Sequence, residues 1–117
     1  MSSKRRRLTP DEMEQALAFK LTVIGRGCEI HDDPLDCELP IQACHVIPKQ
    51  SLRRRGLYEH VYDPRNGVAA CYRAHRRSDA GIERFPVETF SREFWQFADE
   101  LDLTWLVEKL YGARVAA

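Results

Sequence analysis

The sequence predicts a single α+β domain, on three observations. Residues 9–25 carry helical periodicity between clear start and stop signals. Residues 28–48 hold two short apolar runs on either side of a turn signal, and residues 88–111 repeat aromatic side chains at helical spacing. A chain of 117 residues suits one domain, here placed at residues 9–112. A core of that size is modest, so a bound metal or a partner chain would reinforce it.

Taken in order, residues 1–8 read as a disordered basic arm. Thr9 is a suitable N-cap, Pro10 fits the first helical position and Glu12 completes a capping box, opening a helix over 9–25. Met13, Leu17, Phe19, Leu21 and Ile24 supply its apolar face, and the stretch Gly25–Gly27 ends it. In "CEIHDDPLDCELPIQACHVIP" the turn signal "HDDPLD" separates two apolar runs and predicts a β-hairpin. Leu39, Ile41 and Ala43 then share one face, Val46 and Ile47 continue the run, and Pro48 stops it. "KQSLRRRGL" reads as a short basic helix or turn closed by Gly56, and "VAAC" as a terse strand or turn. "CYRAHRRSDA" starts a helix ended by Gly81. Pro86 with Thr89 or Ser91 opens a helix that turns Phe90, Phe94, Trp95, Phe97 and Ala98 inward. A second, at about 104–111, presents Trp105, Leu106, Leu110 and Tyr111 before Gly112. At this spacing the aromatics read as core rather than as base-stacking groups.

With 44% apolar and 31% charged residues the composition is that of an ordinary globular protein. No run of about 18 apolar residues is present to cross a membrane. The basic start leads into no apolar segment, so no signal peptide is expected and the chain is assigned to the cytoplasm. In that reducing setting the four cysteines are thiols or metal ligands rather than disulfides. The formal net charge of zero hides an asymmetry. Lys49, Arg53, Arg54, Arg55, Arg65, Arg73, Arg76 and Arg77 face only Glu59 and Asp63 between His45 and Arg77. A field of that sign favours DNA as partner, the plain alternative being a solvated face.

The motif order is "ACHVIP", a basic loop, "DPRNG", then "CYRAHRRSD", with His45, Asn66 and His75 at the junctions. At these residues, over roughly 28–82, the sequence resembles the HNH endonucleases, the His-Me finger or ββα-metal superfamily, and within it the small proteins of phages and prophages. The resemblance implies a ββα-metal core between an N-terminal helix and a C-terminal helical extension. It implies that His45 is the general base that activates water against a DNA phosphodiester, a role suited to an imidazole near neutrality. Asn66 is implied to brace the loop or bind metal. His75 is implied to hold a single divalent ion (Mg, Mn, Ni or Zn), with Asp79 one turn further on the same face as a second ligand. The arginines would grip neighbouring phosphates, and the products would carry a 5′-phosphate and a 3′-hydroxyl.

Two features depart from the family pattern. The residue before the base is commonly His or Asp and a ligand; here it is Cys44, which either ligates a transition metal, packs, or marks a weakened site. The Cys pairs that hold a structural zinc in many such proteins survive in fragments as Cys28, His31, Cys37 and Cys71. These make either a tetrahedral zinc site or a set of buried thiols. Two other functions stand beside the nuclease: a non-catalytic DNA-binding module on the same fold, and a zinc-stabilised interaction protein. Nothing in the sequence fixes the oligomeric state.

Overall fold

The computed structural model describes residues 7–114; the predicted basic arm lies largely outside the described residues. Helix α1, Pro10–Ile24, begins as the sequence predicts: Thr9 Oγ1 accepts from the Glu12 amide and Glu12 reaches back to Thr9. Strands β1, Ile41–His45, and β2, Gly67–Cys71, form an antiparallel pair with Ile41 opposite Cys71 and His45 opposite Gly67. Between them run the short helix α2, Lys49–Arg54, and two single turns at Tyr58–His60 and Pro64–Asn66. Helix α3, Tyr72–Asp79, leaves directly from β2, and α4, Arg92–Glu100, and α5, Thr104–Tyr111, complete an α+β domain of five helices and one two-stranded sheet.

The hairpin predicted around residues 31–36 is not formed. Asp33 caps the Leu35 amide and Pro34 starts a single 3-10 turn that the Cys37 amide closes onto the Pro34 carbonyl. "HDDPLD" is therefore a knuckle, and the partner of β1 comes from the terse run "GVAAC". That run is buried along its whole length, which its small side chains allow.

The sheet is covered on both faces. Alternation along β1 sends Ile41, Ala43 and His45 one way and Gln42 and Cys44 the other. Phe19 and Val23 of α1 pack on the first face around Ala69. The main core, with Cys44, Val68, Ala70 and Ala74 joined to Phe94, Phe97, Leu106 and Val107, fills the second. Gly67 is dictated by this packing rather than by a positive-φ turn: its φ is −100°, and a Cβ there would lie 2.3 Å from Val23 Cγ2. Close approach of α1 also corrects the predicted apolar face. Phe19 and Val23 are buried, whereas Met13, Leu17 and Leu21 are more than half exposed on the far side of the helix. Trp105, predicted inward, is 55% exposed.

Asn66 is the buried polar side chain of the core among the described residues, and it closes the long connection between the strands. Its Oδ1 accepts from the Ile47 amide at 2.8 Å and its Nδ2 donates to the Ile47 carbonyl at 3.0 Å. The Val46 amide adds a bond to the Asn66 carbonyl. An Asn66→Ala variant leaves two buried backbone groups unpaired, at about 1–3 kcal/mol each. Urea unfolding should therefore show a loss of roughly 3 kcal/mol with unchanged m-value; a loss under about 0.5 kcal/mol, the range of ordinary surface substitutions, would contradict this role.

Candidate metal centre and the two imidazoles

Cys28 follows α1, His31 and Cys37 lie on the knuckle, and Cys71 ends β2 while capping α3. Their four ligand atoms lie within 4.8 Å of one another. His31 Nδ1 is 3.3 Å from Cys71 Sγ and 3.9 Å from Cys37 Sγ, near the ~3.8 Å edge of a tetrahedron with arms of about 2.3 Å. Three thiols and an imidazole suit a soft or borderline ion. The local electrostatics favour the same use. Burial pushes the Cys71 thiol up, but amides at Ala74 and Glu38 together with His31 and Cys37 outweigh it and bring the group down to about 6. Cys37 is instead pushed up to about 12, by burial and by the neighbouring Cys28 and Cys71. The Cys71 amide donates to Cys28 Sγ at 3.3 Å, as expected of a ligating sulfur. These four residues can hold one metal ion.

The same segment seals the free edge of β2. The Glu29 amide donates to the Ala69 carbonyl at 2.8 Å, and Glu29 Oε1 accepts from the Ala69 amide at 2.9 Å. The Tyr72 amide donates to the Glu38 carbonyl at 2.7 Å.

On α3, His75 Nδ1 donates to Gln42 Oε1 at 2.6 Å, and its Nε2 lies 3.2 Å from Asp79 Oδ2. One ring nitrogen is thereby committed to an acceptor while the other faces the carboxylate, so His75 and Asp79 present a nitrogen–oxygen pair on one face of α3. Gln42 was not singled out from the sequence. Its partner on the same strand face, Cys44, is 5% exposed, and burial pushes its thiol up to about 12, with the charges of Asp79 and Cys28 adding to the effect. Cys44 does not belong to the four-donor group.

His45 projects from the opposite face of β1. Its ring stacks on Phe19 at 4.4 Å between centroids and meets Tyr62 edge-on at 5.9 Å. Its Nε2 is buried without a hydrogen-bond partner. The structure thus does not bring His45, expected as the base, to His75, expected as the metal ligand: the sheet stands between the two rings. Asn66 takes the bracing role rather than a metal-binding one, since both ends of its carboxamide are engaged by Ile47.

The basic field divides in two. Arg65 pairs with Asp63 and Glu100, Arg73 and Arg76 with Glu38, and Arg77 with Glu83. Lys49, Arg53, Arg54 and Arg55, on and just after α2, form no ion pair among the described residues. Arg53 touches the Tyr62 hydroxyl and Arg55 donates to the Ser51 carbonyl. Within this basic field, the cations left available to an anionic partner are therefore Lys49, Arg53, Arg54 and Arg55. A count of charges along the chain cannot separate these groups, because Glu38, Glu83 and Glu100 lie outside the basic stretch.

No protein-family model, curated protein or solved structure matches this chain. No helix among the described residues is long and apolar enough to cross a membrane.

His45 offers a direct check on this geometry. Burial holds its imidazole down at about 4 against an ordinary 6.5; Lys49 and Arg53 add to the shift, and a bond to the Val61 backbone opposes it. The unfolded chain then binds more protons than the folded one between these values, so the stability supplied by neutral His45 is complete above about pH 6.5 and is lost as the pH falls toward 4. In an NMR titration the His45 ring should stay neutral down to about pH 4. In a Phe19→Ala variant its midpoint should rise toward the ordinary value. A wild-type midpoint near 6.5 would contradict the burial.

Proposed function

We propose that this chain is a DNA-binding domain of the HNH type that hydrolyses phosphodiester bonds with a divalent metal, built on a ββα-metal core formed by β1, β2 and α3. One observation carries the reading. A connection clamped by Asn66 brings β2 back beside β1 and runs straight into a helix that bears His75 and Asp79 as a facing pair. His75 and Asp79 would hold the ion, with Gln42 fixing the imidazole tautomer. Bound there, the ion would stabilise negative charge on the scissile phosphate. His45, neutral at physiological pH, would take a proton from water as the new P–O bond forms and the P–O3′ bond breaks. For that, Phe19 must leave its ring and His45, the last residue of β1, must swing round the strand end to the side of His75. Lys49, Arg53, Arg54 and Arg55 would hold flanking phosphates with little sequence information. A structural zinc at Cys28, His31, Cys37 and Cys71 would fix α3 against the sheet.

A second reading, the non-catalytic DNA-binding module, is favoured by the position of His45 under Phe19, across the sheet from His75. A supercoiled-plasmid assay in magnesium, manganese, nickel and zinc decides between them. Wild type should nick in at least one metal. His75→Ala and His45→Ala should each lose about a hundredfold or more in rate while retaining duplex binding. Equal cutting by His45→Ala would remove its role as base. Binding without nicking by the wild type in all four metals would select the second reading.

A further inference from the structure

Trp105 is out of place in its helix. Its neighbours Leu106 and Val107 are buried, as are Trp95 and Phe97 of α4, yet Trp105 keeps 55% of its surface in solvent. Its indole is held rather than loose. Nε1 donates to the Asp102 carbonyl at 3.1 Å, and the Arg55 guanidinium stands 5.7 Å from the ring centroid. Arg55 is in turn tied to the Ser51 carbonyl at 2.8 Å. A fixed, exposed indole thus borders a stretch, Lys49 to Arg55, whose four cations form no ion pair among the described residues.

We propose that Trp105 is a stacking platform for an unpaired nucleotide, and that α2 and Trp105 together form a binding surface for single-stranded nucleic acid. The charge argument selects a polyanion, since four unpaired cations in seven residues favour phosphates over an apolar protein partner. The indole selects the strandedness. A base within a duplex has both faces covered by its neighbours, whereas an unpaired base can lay one on an aromatic ring without regard to sequence. Arg55 serves both functions, steadying the ring and reaching the backbone. This rests on the nucleic-acid reading of the chain but not on cleavage, and it places the displaced or unpaired strand on the α2 side of the domain.

Trp95 is 9% exposed, so a Trp95→Phe background leaves Trp105 as the reporting indole. Titration with a short oligothymidylate, an oligouridylate, an abasic oligonucleotide of equal length and a blunt duplex should quench Trp105 emission only with the two base-bearing single strands. The thymidylate and uridylate arms show whether DNA or RNA is preferred. Trp105→Ala should weaken single-strand binding about tenfold, leave abasic and duplex binding within about twofold, and be largely rescued by Trp105→Phe. Should Trp95→Phe fail to fold, 2-aminopurine oligonucleotides read the same stacking on the wild-type chain. Single-strand affinity unchanged by Trp105→Ala, but lost when Arg53, Arg54 and Arg55 are replaced by Ala, overturns the platform and leaves the nucleic-acid reading standing. A wild-type chain that binds none of the four probes overturns both.

Discussion

The meeting of Cys28, His31, Cys37 and Cys71, with their ligand atoms within 4.8 Å of one another, ties together the segments that cover the sheet. The four donors belong to three separate pieces of chain: the exit from α1, the knuckle at Pro34–Asp36, and the junction where β2 becomes α3. A pair of five-residue strands is not stable alone in water. Here one edge is sealed by Glu29 and Cys28, one face by α1, and the other by α3 with the aromatic helices. An ion joining the four donors would fasten three of those covers at one point. It would also set the start, and hence the rotation, of the helix that carries His75 and Asp79.

The sheet at the centre acts as a partition. β1 places Gln42 and Cys44 toward α3 and His45 toward α1, so adjacent residues of one motif serve different compartments. On the α3 side His75 is oriented by Gln42 and faces a carboxylate, a nitrogen–oxygen pair of the kind that suits a borderline divalent ion. On the α1 side the imidazole is kept neutral and shielded from water by Phe19. Chemistry that uses both rings therefore requires that α1 move and that the His45 ring pass round the end of β1 to the α3 side. Gly67 lets Val23 and Phe19 fit closely against the sheet, and Arg26, just after α1, donates to the Gly67 and Pro64 carbonyls.

Much of this was legible in the sequence where the signal is local. The Thr9–Glu12 capping box and the terminations at Gly56, Gly81 and Gly112 appear where the pattern put them, and of the two caps it offered for α4, Thr89 and Ser91, the structure uses Ser91. The four-donor group was also legible, as alternatives: irregular spacing left open whether Cys28, His31, Cys37 and Cys71 meet, and folding of the knuckle brings them together. What escaped was decided at a distance. "HDDPLD" has the composition of a hairpin turn but caps itself, because Asp33 and Pro34 stabilise a single turn whose flanks are drawn to β2. Helix α1 carries two apolar stripes, and only Gly67, far along the chain, which lets Phe19 and Val23 reach the sheet, determines which is buried. Trp105 has helical spacing like its neighbours, yet the turn at Asp102, with its φ of 58°, precedes a helix that faces it outward beside Arg55.

The most direct test of whether an ion joins these four donors is elemental analysis of the purified chain combined with X-ray absorption at the metal edge. The account predicts one zinc-class ion per chain, with three sulfurs at about 2.3 Å and one nitrogen at about 2.0–2.1 Å. That ion should be lost in Cys37→Ser and Cys71→Ser, with a lowered Tm, and kept in Cys44→Ser. A metal-free chain with full helicity and an unchanged Tm in the presence of a strong chelator would contradict it.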